Sequence, residues 1–356
     1  MEKEQNFNIQ TQFRIKDNIQ FLFIDNYIIS VKKTQTNVYE FHFYNTKNFV
    51  KEFIIKNENE ENLDYKNFEI FHTKNKDLYL LGHSTNEGMK IMKIVEKKIE
   101  KRAFYNYDCF RVDLQDDKIY IIEDESLIIY DILKNTSIKI DNAIIKEYGY
   151  RFISRQQLFL VDKYLLFTYT REYINIYKRY GLHYQIINKN SYTNESEYED
   201  FSLYCDVNDD YFYNFENNED FKDACDKLFF KWKYYMGFFL YQISKNLFYI
   251  RNEDNENDNE KLYFVEINKI NNEYNRLYHI EIKDKIVDNN PIYLIDNEKF
   301  SIKSLENIYI YKISGFELIF KFRLKYPSTH LIKFQDKNEK YKIILADKER
   351  VLFLTS

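Results

Sequence analysis

A unit of four short strands recurs along the whole chain, and this repeat constrains the fold more than any other feature of the sequence. Its strands are apolar or alternating, rich in Ile, Tyr and Phe, and separated by turns of Asn, Asp and Lys, a pattern typical of β-strands. The second strand of each unit is marked by an anchor residue: Tyr27, Leu78, Ile119, Tyr164, Leu247, Phe300 and Tyr341. A four-stranded unit that returns at similar spacing predicts one repeat architecture.

The spacing of the anchors indicates how many units there are. Successive anchors lie 41 to 53 residues apart, except for a gap of 83 residues between Tyr164 and Leu247. Inside that gap, "FSLYCDVNDDYFYNF" repeats the pattern of a first and a second strand, with Tyr211 as its anchor. Four-stranded units of about 40 to 45 residues are typical of β-propeller blades. Eight blades are therefore favoured, and seven blades with an insertion at about 191–237 are the alternative.

The two ends of the chain complement each other. The last unit stops after its third strand, "RVLFLTS", and the chain begins with a spare strand, "FNIQTQFRIK", before the first complete unit. We therefore expect the N-terminal strand to complete the last blade, which removes an open sheet edge. The sequence predicts an all-β fold, a closed β-propeller formed as a single domain by residues 1–356.

One segment departs from the strand pattern. In "NNEDFKDACDKLFFKWKYYMG", residues 217–237, apolar residues recur at steps of three and four, acidic residues come early, lysines late, and glycine ends the segment. This pattern is typical of an amphipathic helix. The helix either packs on the propeller or forms a partner-binding surface, whose contact residues are then Phe221, Leu228, Phe229 and Trp232. In a competing interpretation, "KLFFKWKYY" is the third strand of a degenerate blade.

The stretch "SLIIYDILKNTSIKI", residues 126–140, supplies the third strand, turn and fourth strand of one unit. Its Tyr130-Asp131 lies where WD40-like repeats carry Trp-Asp, so the chain resembles WD40-like β-propeller repeat proteins. Other units keep an aromatic or aliphatic residue there without the aspartate, and Gly82-His83 falls inside a second strand rather than at the family's Gly-His position. The resemblance implies the propeller architecture and no specific function, because one fold serves many functions.

Composition excludes several classes of protein. Hydrophobic residues make up 44% and aromatic residues 19% of the 356 residues, which is too apolar for a disordered chain. The net charge is −5 and charges of both signs are interspersed, so we predict no nucleic-acid partner. We also predict no membrane span and no secretory leader. Three scattered cysteines, Cys109, Cys205 and Cys225, favour a reducing compartment, and we expect a cytoplasmic protein.

No catalytic or cofactor-binding motif is found in the sequence. The six glycines never cluster, which excludes a P-loop or a dinucleotide-binding loop, and there is no GxSxG motif. The six histidines lack zinc-binding spacing, and we interpret those in strands as structural. "DVNDDYFYNFEN" has Tyr211 and Asn217 where a calcium loop needs Gly and Glu. We predict no cofactor and no metal ion.

Two functions are compatible with this sequence. The first is a non-catalytic β-propeller scaffold that binds a protein partner, either alone or as a subunit of a larger assembly. The alternative is an enzyme or small-ligand binder whose site lies in the central channel and is built by loops of several blades. A carboxylate and a histidine converging in the channel would favour the alternative, whereas a channel filled by Phe and Tyr would exclude it.

Overall fold

The chain is built from β-strands throughout the part of it that the structure, a computed structural model, describes. The described residues are 8–14, 18–35, 38–48, 50–58, 65, 67–84, 88–143, 153–161, 164–173, 179–189, 192, 239–244, 247–251, 260–266, 277–282, 286, 292–295, 298–323, 330–337, 340–346 and 350–355. Within these ranges there are 27 strands, arranged in seven antiparallel sheets.

Sheets 1 to 3 follow one another along the chain, and each contains four strands hydrogen-bonded in chain order. Sheet 1 consists of β2 (Asn18–Ile24), β3 (Tyr27–Gln35), β4 (Val38–Asn45) and β5 (Lys51–Glu58); sheet 2 of β6 (Asn67–His72), β7 (Leu78–Ser84), β8 (Gly88–Val95) and β9 (Lys98–Tyr105); and sheet 3 of β10 (Cys109–Asp113), β11 (Lys118–Glu123), β12 (Ser126–Asp131) and β13 (Thr136–Ile140).

Sheets 4 to 7 continue the same order. Sheet 4 consists of β14 (Ile153–Val161), β15 (Tyr164–Tyr173) and β16 (Arg179–Asn188); sheet 5 of β17 (Phe239–Gln242), β18 (Leu247–Arg251), β19 (Glu260–Glu266) and β20 (Leu277–Ile282); sheet 6 of β21 (Ile292–Leu294), β22 (Lys299–Lys303), β23 (Asn307–Lys312) and β24 (Leu318–Arg323); and sheet 7 of β25 (His330–Lys337), β26 (Lys340–Ala346), β27 (Arg350–Thr355) and β1 (Asn8–Arg14). In the described part of the chain, sheet 4 has three strands and the other sheets have four.

The anchors predicted from the sequence coincide with second strands. Tyr27, Leu78, Tyr164 and Leu247 are the first residues of β3, β7, β15 and β18, and the other three anchors are the second residues of β11, β22 and β26. Polar turns and alternating strands therefore predicted the position of the second strand in all seven sheets. The predicted unit at Tyr211 lies outside the described residues.

The N-terminal strand belongs to the same sheet as the C-terminal strand. β1 pairs antiparallel with β27, with Asn8 opposite Thr355 and Arg14 opposite Arg350. The spare strand therefore has the partner that the sequence predicted for it. An edge of β27 that would otherwise be open is covered by this pairing.

Sheet 3 packs against a neighbouring sheet on each of its two faces. On β11, Ile119 and Ile121 belong to a buried cluster shared with sheet 2, whereas Tyr120 and Ile122 belong to one shared with sheet 4. All four side chains are 0% exposed. Because successive side chains of a strand point to opposite faces, a sheet buried on both faces needs a nearly continuous apolar run such as "IYII".

The same face-to-face stacking joins further pairs of sheets. Sheets 1 and 2 share a buried cluster in which the rings of Phe41 and Phe68 lie 5.1 Å apart. Sheets 5 and 6 share another, in which Phe264 and Phe300 lie 5.3 Å apart. Edge-to-face or tilted aromatic pairs of this kind contribute beyond their buried area. Among the described residues, these Phe side chains thus pack between neighbouring sheets.

Two more contacts extend the stack in both directions. Phe159 of sheet 4 packs edge-to-face on Phe248 of sheet 5, with ring centroids 5.5 Å apart. Ile344 and Val351 of sheet 7 form a buried cluster with Ile28 of sheet 1. The last sheet along the chain therefore packs on the first complete one.

Candidate functional site

Polar side chains on the first strands of four sheets are the candidate functional site. They are Gln20 on β2, Glu69 on β6, Arg111 on β10 and Gln242 on β17, and we call them the inner polar cluster. Three of them make hydrogen bonds that link the first strand of one sheet to that of another. Because these bonds join strands of different sheets, the cluster connects first strands that share no main-chain ladder.

Gln20 joins sheets 1 and 2. Its Nε2 donates to the carbonyl oxygen of Phe68 at 2.9 Å, and the main-chain N–H of Phe68 donates to its Oε1 at 2.7 Å. A side-chain amide carries both a donor and an acceptor, so Gln20 satisfies both main-chain groups of one residue on β6. The two first strands are linked in this way although they belong to separate sheets.

Arg111 and Gln242 join sheets 3, 4 and 5. Nη2 of Arg111 donates to Oε1 of Gln242 at 3.1 Å. Nε2 of Gln242 in turn donates to the carbonyl oxygen of Leu160 on β14. The amide of Gln242 is thereby held with its oxygen towards Arg111, so the guanidinium has a preset position.

The guanidinium of Arg111 is not matched by a carboxylate in contact. Among the described residues, no carboxylate oxygen lies within 4.0 Å of it, and the bond to Gln242 is its only hydrogen bond. Burial lowers the pKa of Arg111, and the charges of Glu69 and Asp113 oppose this effect. An arginine remains protonated under all ordinary conditions and has five N–H donors. Arg111 therefore presents a cation with several N–H donors that no described residue accepts.

Glu69 lies beside His83, which gives the interior a carboxylate–histidine pair. Nε2 of His83 is 3.6 Å from Oε1 of Glu69, and Nδ1 is 3.2 Å from the hydroxyl of Tyr107. Burial, with a further effect of Glu69, raises the pKa of Tyr107 to about 12, so its hydroxyl is protonated at neutral pH and can donate to Nδ1. The proton of a neutral His83 then lies on Nε2, towards Glu69. The imidazole also packs edge-to-face on Phe110, at 5.0 Å.

A second polar group lies at the turn between β10 and β11 and joins sheet 3 to both of its neighbours. Nζ of Lys189 pairs with Asp113 and lies 3.1 Å from Asp116. Burial by itself lowers the pKa of Lys189, but its bonds with the two carboxylates outweigh this and leave the pKa raised. On the other side, Oδ1 of Asp117 accepts the main-chain N–H of Lys74 at 3.0 Å. Asp113, Asp116 and Asp117 therefore have structural partners on neighbouring sheets.

Tyr130 and Asp131 have different tasks in the structure. Tyr130 is 2% exposed, packs in the cluster between sheets 2 and 3, and donates its hydroxyl to Oδ1 of Asn135 at 2.6 Å. Asp131 closes the turn after β12, because it accepts the main-chain N–H of Lys134 at 2.9 Å and pairs with Nζ of the same residue at 2.9 Å. Tyr130 thus fills a packing position, and Asp131 stabilises a local turn.

Each of the three histidines whose side chains are described contacts an acidic residue. Nε2 of His42 lies 2.8 Å from Glu40 within sheet 1, and Nε2 of His72 lies 2.7 Å from Asp25, which joins sheet 2 to sheet 1. The third is His83 of the pair above. Their positions fit the interpretation of the strand histidines as structural residues.

The predicted partner-binding residues Phe221, Leu228, Phe229 and Trp232 lie outside the described residues, and their role stays a prediction. In the described ranges, no three His, Cys, Asp or Glu side chains are arranged to hold a metal ion. No helix in those ranges is long and apolar enough to cross a membrane.

The sequence interpretation missed the inner polar cluster, although a signal for it was present. Gln20, Glu69 and Arg111 are each the second residue of the first-strand segments "IQFLFID", "FEIFHTK" and "FRVDLQD", directly after an apolar residue. A polar residue at one register position of three successive units marks a shared face. Gln242 occupies a later position in "FFLYQIS", so this signal would not have found it.

Comparison with known proteins identifies the fold. No family profile and no curated protein matches the chain. Among solved structures, the chain is similar to the β-propeller domain of Cps50 (Swd1) from Myceliophteria thermophila, with a TM-score of 0.51 and 8% sequence identity, over 99% of this chain and 100% of that chain. A likeness at this identity concerns the fold and not the function. The predicted resemblance to WD40-like β-propeller repeat proteins is confirmed at the level of architecture, since the described residues form antiparallel sheets, six of four strands and one of three, with a β-propeller fold.

Proposed function

We propose that the chain is a non-catalytic scaffold, a closed β-propeller of seven blades that binds a protein partner. The observation that carries this proposal is that the polar side chains between the sheets bond to other parts of the fold. Gln20 and Gln242 bridge first strands, and Lys189 neutralises Asp113 and Asp116 between two sheets. Groups with such structural partners rigidify a platform.

Direct contact between sheets 4 and 5 supports seven blades. An eighth blade encoded between β16 and β17 would have to stand between these two sheets. Instead, Phe159 touches Phe248 and Gln242 bonds the carbonyl of Leu160. This contact favours seven blades with an insertion at about 191–237, which was the alternative interpretation of the sequence. The pairing of β1 with β27 and the packing of sheet 7 on sheet 1 support a closed ring.

The insertion is the proposed partner-binding element. Trp232, Phe221, Leu228 and Phe229 form the apolar stripe of the segment at 217–237, and aromatic residues are frequent anchors in protein interfaces. Replacing Trp232 by Ala should weaken partner binding more than it lowers the melting temperature. A large loss of melting temperature with unchanged binding would assign the stripe to core packing.

The proposed function is tested by purifying the tagged full-length chain from its native source at physiological salt. Cross-linking before lysis, mass spectrometry and size-exclusion chromatography then show whether a partner co-elutes in stoichiometric amount. We expect such a partner for the wild-type chain and less of it for Trp232→Ala. A chain that elutes alone under these conditions, with no cross-linked protein, contradicts the scaffold proposal.

A second candidate function, a small-ligand binder in the interior, is favoured by the pair of Glu69 and His83. The 3.6 Å between Nε2 and Oε1 is the convergence of carboxylate and histidine that such a site requires. Against it stand Tyr107 and Phe110, which contact the imidazole. Isothermal titration of the wild-type chain and of Glu69→Gln with metabolite mixtures separates the two candidates, since only the small-ligand candidate predicts a heat of binding that is lost with the Glu69 carboxylate.

A further inference from the structure

The charge of Arg111 has no contact partner of opposite sign among the described residues. Among the described residues it makes one hydrogen bond, to the neutral amide of Gln242. Asp113, the carboxylate on the same strand, pairs with Lys189, and Glu69 lies near His83. Arg111 as a residue is only partly buried, and burial lowers the pKa of its guanidinium, so an incoming group that pairs with this cation must bring a negative charge.

The position of this guanidinium is set before any ligand binds. The bond from Gln242 to the carbonyl of Leu160 orients the amide, and the amide oxygen holds Nη2 of Arg111. One edge of a planar guanidinium is thereby fixed, and its other N–H groups remain as donors. A carboxylate accepts two parallel N–H bonds from such a fork, which is one of the strong charge-assisted pairs that arginine forms.

We infer that Arg111 binds a carboxylate group presented by a peptide segment of the partner protein. The inference rests on the proposed scaffold function and names the chemistry that the interior recognises. A carboxylate fits better than a phosphate, because the charges of Glu69 and Asp113 act at this guanidinium and would repel a dianion more strongly than a monoanion. Nucleic acid fits less well still, since the whole chain carries a net charge of −5.

The carboxylate has two sources within a peptide, an acidic side chain or the C-terminus, and small carboxylic acids share the same chemistry. The experiment therefore uses an array of short peptides that contain one Glu, the same peptides with Gln in its place, and both sets with free or amidated C-termini. The full-length chain is bound to the array, and sodium glutarate is added as a small competitor. The variants are Arg111→Gln, Arg111→Lys and the control Arg323→Gln, which removes a surface arginine on β24 paired at 3.8 Å with Glu306.

For the wild-type chain we expect binding of peptides with a carboxylate to exceed that of the matched amides by about tenfold, the usual effect of a charge-assisted hydrogen bond. Arg111→Gln should lose this preference, Arg111→Lys should keep part of it because the charge remains without the fork, and Arg323→Gln should behave as wild type. The melting temperature of each variant shows that it is folded. If Arg111→Gln fails to fold, Arg111→Lys carries the test, and unchanged selectivity in that variant overturns the inference.

The possible results separate the inference from the scaffold proposal on which it rests. If peptide binding does not change with the Glu-to-Gln substitution or with C-terminal amidation, the role of Arg111 is overturned while the scaffold proposal stands. Binding of glutarate that depends on Arg111, without binding of any peptide, overturns the peptide inference and supports the small-ligand alternative. Absence of binding to peptides and glutarate alike overturns the inference.

Discussion

Replacing Tyr120 by Phe should make the protein more stable. Tyr120 on β11 is 0% exposed, and its hydroxyl has no hydrogen-bond partner among the described residues. A buried polar group without a partner costs about 1–3 kcal/mol of desolvation. Phenylalanine leaves the ring in the cluster between sheets 3 and 4 and removes that cost, so we expect a gain of about 1 kcal/mol in the free energy of unfolding.

Tyr130 on the adjacent strand is the matched control. It is equally inaccessible, at 2% exposure, but its hydroxyl donates to Asn135 at 2.6 Å. Removing the same atom there breaks a hydrogen bond and leaves an acceptor behind, so Tyr130→Phe should lose about 1 kcal/mol. A general effect of Tyr-to-Phe substitution in this sheet would change the stability of both variants in the same direction. The opposite changes expected here therefore report the hydrogen bonding of each hydroxyl.

The assay is urea unfolding of both variants and the wild-type chain, followed by circular dichroism. A shift of the midpoint at unchanged slope reports a change of stability. The midpoint should rise for Tyr120→Phe and fall for Tyr130→Phe. A fall of equal size for both variants would refute the reasoning, because the hydroxyl of Tyr120 would then have to be hydrogen-bonded in solution.

Three further perturbations address a turn, the sheet shared by the chain ends, and a charged contact. Gly88 has a φ of +100°, and a Cβ there would lie 2.8 Å from a main-chain carbonyl oxygen, so Gly88→Ala should lower the free energy of unfolding by about 3 kcal/mol. Gly315 has a φ of +81° and nothing within 4 Å of its Cβ position, so Gly315→Ala should lower it by about 1 kcal/mol. Urea unfolding measures both losses. Deleting residues 1–16 removes β1 from β27, so it should lower the melting temperature and promote aggregation. A truncated chain as stable as the wild type would argue against a role of β1 in stabilising the fold. The hydrogen bond with Lys189 lowers the pKa of Asp116 below the ordinary value of 3.8. Because the pKa is lower in the folded state than in the unfolded state, the contact stabilises the protein fully above the unfolded-state pKa. This stabilisation is lost as the pH falls through the folded-state pKa. Asp116→Asn should therefore lower the melting temperature at about pH 7 but not at about pH 2, and an equal loss at both pH values would contradict the assignment.

The strand order was predictable because it depends on local signals. Alternating or apolar segments between Asn, Asp and Lys turns define each strand, and four of the seven anchors, Tyr27 among them, prove to be the first residue of a strand. The partner of the N-terminal strand was predictable as well, since a spare strand and an incomplete last unit leave β27 with an edge to cover. A helix at 217–237 stays a prediction.

The hydrogen-bond partners within the inner polar cluster could not be predicted from the sequence, although a polar residue at one position of three successive first strands marks part of it. Arg111 and Gln242 are 131 residues apart, and a polar residue at one position of a strand is as compatible with a solvent-facing side as with a bridge between sheets. The structural role of Asp117 could not be predicted either, because its partner is a main-chain N–H of the neighbouring sheet.

The sequence by itself thus determined the repeat, the positions of the second strands in the seven described sheets and the pairing of the chain ends, because alternation and turn chemistry act over a few residues. Only the tertiary structure decided which sheets touch, that sheets 4 and 5 are direct neighbours, and that Arg111 lies in the interior beside a neutral amide instead of a carboxylate. The physical reason is that contacts between stacked sheets depend on how whole faces pack, and this information is spread over residues far apart in the chain.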